Sequence, residues 1–317
     1  MAVIELMLPR QSRVGNKFLR RMWKDRWIYV FILPFLIFYI LYTLYPILTS
    51  YWYSMLDWTG FTKDWTYVGF QNYLSLFQDK LWWNAFKNTF LFMVITVPIR
   101  VSLALLVAIV LNNPRLPFVR FFRTALFLPV VTTMAIIGVV MIFVFDPVSG
   151  PINLFLREVG LIQKSLNLLG SSSSALYTSM GIHIWKWFGI TLVYWLASLQ
   201  TIPQEMIEAA EVDGANGWQI LRYVTLPMLV PFLIIITLIT ALDTLRVFDL
   251  ILTLTGGGPY FASDVVEVYI YRSAFAATIP QLGYASAAAV FFGLATLVIT
   301  LLQVGGIRFA QQMRRDQ

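Results

Sequence analysis

Six apolar runs, each about as long as a bilayer is thick, leave this 317-residue chain few ways to fold. They lie at roughly 27–48, 86–111, 121–145, 179–199, 227–254 and 285–307. A hydrocarbon core of about 30 Å takes about 20 apolar residues as a helix. Inside it every backbone N–H and C=O must be paired within its own segment, so the runs read as helices. Alternating ten-residue segments, which a membrane β-barrel needs, are absent. The charged content is 12%, against about 25% in soluble domains. The sequence therefore predicts an all-α, polytopic membrane protein with six transmembrane helices.

The charges are placed as well as few. The net charge is +7, but the basic residues gather on alternate connections. Arg10, Arg13, Lys17, Arg20, Arg21, Lys24 and Arg26 precede the first run. Arg115, Arg120 and Arg123 follow the second, and Arg308, Arg314 and Arg315 follow the last. The intervening connections, at roughly 51–85, 146–178 and 255–284, carry only Lys63, Lys80, Arg157, Lys164 and Arg272. This is the positive-inside asymmetry, which predicts a cytoplasmic N-terminus and C-terminus and argues against nucleic-acid binding. The expected organisation is a basic cytoplasmic segment at 1–26, a membrane domain at 27–307 and a cytoplasmic tail at 308–317. The first run is too long for the core of a cleavable signal and lacks a small-residue cleavage site, so it reads as a retained span.

No cysteine is present and histidine occurs once. Disulfides, thiol chemistry and a Cys- or His-rich metal cluster are thereby excluded. A membrane-embedded hydrolase would want a nucleophile beside a base, and an isolated histidine without cysteine serves that poorly. No G-x-x-x-x-G-K-[ST] sequence occurs, so the chain has no Walker A loop for ATP. Gly256-Gly-Gly-Pro259 ends in proline on the outer side and reads as a turn.

The expected inner connections are short except for one, at 200–226. It holds Glu205, Glu208, Glu211 and Asp213 against a single local counter-charge, Arg222. Residues 204–211 are strong helix formers after Pro203, and Gly214 suits a C-terminal cap. A second short helix is expected over 217–223. An acidic helical knob is either a solvated loop or a plug for a basic socket on another protein.

Within this loop Glu208, Ala209, Ala210, Asp213, Gly214, Leu226 and Pro227 resemble the E-A-A-x-x-x-G-x9-I-x-L-P coupling loop of binding-protein-dependent ABC importer permeases, with Val224 in the Ile position. Further landmarks are similar to the sugar-type branch: Gly69-Phe-Gln-Asn-Tyr73, Lys87-Asn-Thr89, Leu199-Gln-Thr-Ile-Pro203, Phe248-Asp249 and Leu254-Thr-Gly-Gly-Gly-Pro259. The chain looks like the amino-terminal subunit of a maltose-type or glycerol-phosphate-type permease pair. The resemblance implies a type I ABC importer permease fold in a bacterial or archaeal inner membrane. It implies a heterodimer with a second homologous permease, two ABC ATPase subunits that bind ATP and Mg, an extracytoplasmic substrate-binding protein and a sugar substrate. This chain would itself be no enzyme and would hold no cofactor. Its loop would dock into the ATPase and transmit alternating access.

Several spans carry polar residues, which are expensive in lipid. Asp243, Arg246 and Asp249 have i,i+3 spacing and can pair on one helix face, or can border a polar path. Thr240, Thr244 and Val247 form one i, i+4, i+7 stripe beside them. By resemblance to the maltose-type permease, sugar-contacting positions fall at Thr240, Thr244 and Val247, and on the fourth span at His183, Lys186, Trp187 and Ile190. Lys186 is either a substrate donor or a paired interior charge. Trp187 either stacks on a sugar or packs, and His183 reads more readily as an interior histidine than as a ligand. Arg100 needs an interior acid or carbonyl. The predicted function is a sugar ABC importer permease for an oligosaccharide or glycoside. The rivals are a glycerol-phosphate or phosphodiester importer, with Arg246, Lys186 and Arg100 as phosphate holders, and an ion-coupled secondary transporter using Asp243 and Asp249. The last leaves the Glu208–Pro227 loop unexplained.

Overall fold

The computed structural model describes residues 26–113 and 116–315, with side chains up to residue 305. Arg10, Arg13, Lys17, Arg20, Arg21, Lys24 and Arg115 lie outside the described residues, as do the side chains of Arg308, Arg314 and Arg315. Contacts divide the chain into two units at Tyr53 and Ser54. The first unit contributes one helix, α1 (Arg26–Tyr53).

The second unit is helical apart from a two-residue hairpin, β1 (Leu56–Asp57) with β2 (Thr66–Tyr67), paired Leu56 to Tyr67. The chain continues through α2 (Gln71–Gln78) into α3 (Lys80–Leu111). Next come α4 (Val119–Val131), α5 (Met134–Val144), α6 (Pro151–Glu158) and α7 (Ala175–Leu199). The knob helix α8 (Gln204–Val212) leads to the long α9 (Gly217–Thr244), followed by α10 (Phe248–Leu254), α11 (Val266–Tyr271) and α12 (Leu282–Arg315).

Among the described residues, α1, α3, α9 and α12 are long and apolar enough to cross a membrane, and α4 with α5 would make a fifth span if the bent pair counts as one. Helix α7 has 25 residues, about 37 Å at 1.5 Å per residue. It is long enough to cross, but His183, Lys186 and its hydroxyl residues dilute its apolar character. Composition thus counts four or five spans where the sequence predicts six.

Two of the predicted straight spans are broken. The run at 121–145 bends by 101° between α4 and α5, where Thr132 and Thr133 are extended (ψ 145° and 148°). Pro129 removes a helical donor there, and the β-branched sequence Val130-Val131-Thr132-Thr133 favours extended backbone. The run at 227–254 breaks at 245–247, between α9 and α10. The short helix expected at 217–223 is instead the start of α9, continuous through a π turn, Leu221–Thr225, just before Pro227. Helix α1 repeats the device, with a π turn at Ile40–Leu44 before Pro46. A proline ring clashes with the carbonyl four residues back, and a widened turn relieves that clash without ending the helix.

Small residues bring the helices together. Ala104 and Ala108 of α3 face Leu192, Trp195 and Leu196 of α7 and Leu229 and Ile236 of α9 in one buried cluster. Trp195 Nε1 donates to Val101 O across that interface at 3.0 Å. Gly189 of α7 lies against the α4 backbone, where a Cβ would stand 2.4 Å from Leu126 O. With little hydrophobic drive between helices in lipid, such close backbone approach is what binds them. A second cluster joins Phe92, Ile137, Met180, Leu250 and Leu254, linking α3, α5, α7 and α10.

The end that carries the hairpin and the start of α3 is tied by hydrogen bonds. Asp79 caps α3 through Leu81 N (2.7 Å) and also accepts from the Tyr269 and Tyr284 hydroxyls. The Gly256-Gly-Gly-Pro259 segment is a turn, followed by Tyr260 and Phe261 at positive φ (49° and 63°). Asn84 donates to Phe261 O, and Asn88 to Ala262 O and Asp264 O, which holds this turn against α3.

Candidate functional site

The acidic knob is built by two capping devices in series. Helix α8 ends in a Schellman arrangement, with Ala215 N donating to Ala210 O (2.9 Å) and Gly214 N to Glu211 O (3.0 Å). Gly214 sits at φ +82°, a left-handed conformation that glycine adopts without the Cβ penalty. Asn216 then caps α9 in a reciprocal box: its Oδ1 accepts from Gln219 N (2.9 Å), and Gln219 Oε1 accepts from Asn216 N (2.7 Å). The N-x-x-Q spacing announces that box, and the sequence reading passed over it.

These caps fix what the knob displays. Glu205, Glu208, Glu211, Asp213 and Ala209 are exposed, and Ala210 is half-buried. Beside them stand exposed apolar side chains that the sequence reading missed, Met206, Trp218, Tyr223 and Val212, the last 88% exposed. Gln204 Nε2 donates to Glu208 Oε1 at 2.8 Å, which holds that carboxylate on the outer face. On the inner face Ile207, with Ile220 and Leu221, borders the ends of α3 and α7 at Ile109 and Leu199. Leu226 and Pro227 lie within α9, half-buried and exposed respectively. An acidic surface with apolar side chains interspersed is what a protein-docking patch requires.

The polar residues of the spans divide into two sets. The first is internal. Arg100, 2% exposed, donates through Nη1 and Nη2 to Asp243 Oδ2 at 3.2 and 3.3 Å. Thus Asp243 pairs with α3, not with Arg246 at i+3, because α9 ends at Thr244 and the helical spacing stops there. Lys186 is buried, and its Nζ donates to Val130 O at 2.8 Å, the carbonyl end of α4 beside the 101° bend. A cation at a helix C-terminus complements the helix dipole. Thr240, Thr244, Val247 and His183 are also buried. Thr244 Oγ1 donates to Thr240 O (2.7 Å), and His183 meets Phe92 edge-on with ring centroids 5.3 Å apart.

The second set reaches the subunit surface. Arg246 and Asp249 are exposed, Asp243 keeps 37% of its side chain accessible, and Trp187 and Ile190 are half-buried. The broken end of α9 and the middle of α7 therefore present a cation, two carboxylates and an indole ring. Outside this face, Glu267 is raised from the usual carboxylate range by burial, which its bond from Phe248 N (2.8 Å) and the nearby Arg246 only partly offset. Burial likewise raises Asp264 against the pull of Arg272. Among the described residues no cluster of three metal-ligating side chains occurs.

Residues 73–305 match the family described as the inner-membrane component of binding-protein-dependent transport systems. This chain belongs to that family. It is a transport subunit of the ABC permease class and not an enzyme. The lactose transport system permease protein LacF of Rhizobium radiobacter is 31% identical over 87% of this chain and 92% of its own length. The sn-glycerol-3-phosphate transport system permease protein UgpA of Yersinia pestis is 31% identical over 91% of this chain and 95% of its own. In structure the chain superposes on a subunit of a bacterial ABC transporter that imports the acidic polysaccharide alginate. The TM-score is 0.80 at 24% identity, over 92% of this chain and 98% of that one. The fold is that of a type I ABC importer permease.

Proposed function

We propose that this chain is one of two permease subunits of an ATP-driven importer for a carbohydrate, an oligosaccharide or glycoside. In this reading it works with a second homologous permease, two ATPase subunits and an extracytoplasmic binding protein. The knob at 204–218 enters the ATPase subunit with Glu208 as its charged contact, and Gly214 shapes the turn that presents it. ATPase closure draws the paired knobs together and opens the outer side, the binding protein delivers its sugar, and hydrolysis restores the inward-facing state. Both termini and the knob face the cytoplasm, and six spans carry the chain across.

The observation that carries this reading is the knob itself. Its acidic and apolar side chains are turned outward, while two caps and the Ile207 contact hold its backbone. A merely solvated loop needs neither the caps nor the exposed Trp218, Tyr223 and Val212. The sugar path runs along the face that displays Asp243, Arg246, Asp249, Trp187 and Ile190, since charges at membrane depth require water or protein beside them. On this view Thr240, Thr244, Val247, His183 and Lys186 support that face from behind. The LacF relationship favours a sugar. The UgpA relationship and the exposed Arg246 favour a glycerol phosphate, so both belong in one assay.

The test is binding-protein-stimulated ATP hydrolysis by the reconstituted complex, wild type against Glu208→Lys, with a panel of sugars and glycerol phosphates. One sugar should stimulate the wild type. Breaking a buried charged contact costs about 2–5 kcal/mol, so Glu208→Lys should lower stimulation tenfold or more, or release the ATPase. Stimulation by a glycerol phosphate alone would replace the substrate class. Unchanged coupling in Glu208→Lys would remove the knob's role.

A further inference from the structure

The connection from α3 to α4 forms a cavity of about 390 Å³ lined by Leu116, Phe118, Val119, Arg120 and Arg123. Among the described residues no carboxylate lines it. It sits at the same end of the subunit as the knob, because Asn112, just past α3, borders the α8 seat beside Ile207 and Glu211. Arg123 Nη2 donates to Leu111 O (2.6 Å), which fixes the guanidinium at the end of α3, and its buried Nε has no hydrogen-bond partner. Arg120 is exposed and takes part in no ion pair among the described residues. Phe118, the residue before α4, has φ 59° and offers no side-chain cap.

Apolar side chains share the lining with the two arginines. Phe118 is 77% exposed and Leu116 36%. They stand just before α4, where the third apolar run begins. A soluble anion would satisfy the arginines and leave these side chains in water. A phospholipid satisfies both, with phosphate on the guanidinium groups and chains on Leu116 and Phe118. We propose that this pocket is a binding site for the phosphate of an anionic phospholipid, seated by Arg120 and Arg123 with Leu116 and Phe118 against its chains. The site requires only that the chain be embedded in a membrane, and it is independent of the transported substrate.

The experiment uses the purified complex, delipidated in detergent and titrated with short-chain phosphatidylglycerol, phosphatidylcholine or inorganic phosphate, with bound lipid read by native mass spectrometry. Phosphatidylglycerol should bind in preference to phosphatidylcholine, and inorganic phosphate should not displace it. Arg120→Gln should weaken phosphatidylglycerol about fivefold, the usual effect of one basic residue at an anionic lipid surface, while Arg120→Lys keeps most of the affinity. Phe118→Gln should also weaken it, through the chains, with both arginines in place. Arg120 holds nothing else in the fold, so its substitution decides the matter even where an Arg123 variant fails to assemble. Equal affinity for the two lipids, displacement by phosphate, or no change in Arg120→Gln would overturn the proposal. Because binding is measured without transport, its failure leaves the import reading untouched.

Discussion

Arg100 shows what a single residue can demand of a membrane subunit. Its position in the middle of α3 obliges it to find an acid or carbonyl, and it finds Asp243, 143 residues away. The need is legible in the sequence, because a guanidinium in lipid is expensive. The partner is not, since Asp243, Asp249 and the rest compete on equal terms until the helices are placed. Arg100 is buried but Asp243 is partly accessible, so removing the acid leaves the guanidinium uncompensated at a cost below that of a fully buried pair, about 3–5 kcal/mol. Asp243→Asn should therefore lower thermal stability and yield of the complex markedly, while Arg100→Met with Asp243→Leu should recover most of both. A double variant no better than Asp243→Asn would show that Asp243 acts through something other than this pair. Glu267 carries a different signature. Burial raises it, so the folded protein keeps its proton to higher pH than the unfolded chain. Stability from this group is full below the ordinary glutamate range and is lost as pH rises through the raised folded value. The melting temperature of Glu267→Gln should consequently fall less than that of the wild type as pH rises above the ordinary glutamate range.

At the scale of elements, hydropathy marks where the chain is apolar but not where it bends. The knob was readable because its signals are local: acidic helix formers, Gly214 at the cap, Leu226-Pro227 at fixed distance. The break at Thr132–Thr133 lies inside an unbroken apolar run and is stabilised by tertiary contacts, whereas the one at 245–247 falls among the charges Asp243, Arg246 and Asp249, which mark the place without saying that the helix ends there. The first depends on α7. Gly189 admits the α4 backbone, and Lys186 takes up the carbonyl at the end of that helix. Gly189→Ala puts a methyl group 2.4 Å from Leu126 O, and such overpacking costs about 1–3 kcal/mol. Gly181, on the same helix with open space around it, is the control: Gly181→Ala should assemble normally while Gly189→Ala gives reduced complex and a lower melting temperature. Lys186→Met should lose about 1–2 kcal/mol of helix-terminal stabilisation and loosen the bend, read as increased proteolysis or label access near Thr132. Lys186→Arg should largely restore protection. If Lys186→Met leaves access unchanged, the lysine is a passive neighbour of Val130 O.

For the whole molecule, everything proposed about direction turns on whether α7 crosses the membrane. The other candidate spans announce themselves by composition, whereas α7 is long enough but diluted by the very residues that make its inner face polar. If it crosses, the chain has six spans, the basic ends lie on one side, and the knob shares that side. If it does not, the loop at 171–174 and the knob are on the same face, and Glu208 cannot meet a cytoplasmic ATPase from the orientation the arginines dictate. The chain contains no cysteine, so a single introduced one is a unique reporter. Ser172→Cys and Gln200→Cys place exposed thiols at opposite ends of α7, outside the knob's docking face. A membrane-impermeant maleimide added to intact cells should label Ser172→Cys and spare Gln200→Cys, which should become reactive once the membrane is opened. Labelling of both from the outside, or of neither, would put the two ends on one side and remove α7 from the spans. The six-span count, the placement of the knob and the route from ATP to sugar would then fall together, because a force delivered at Glu208 reaches the outer face only through helices that go there.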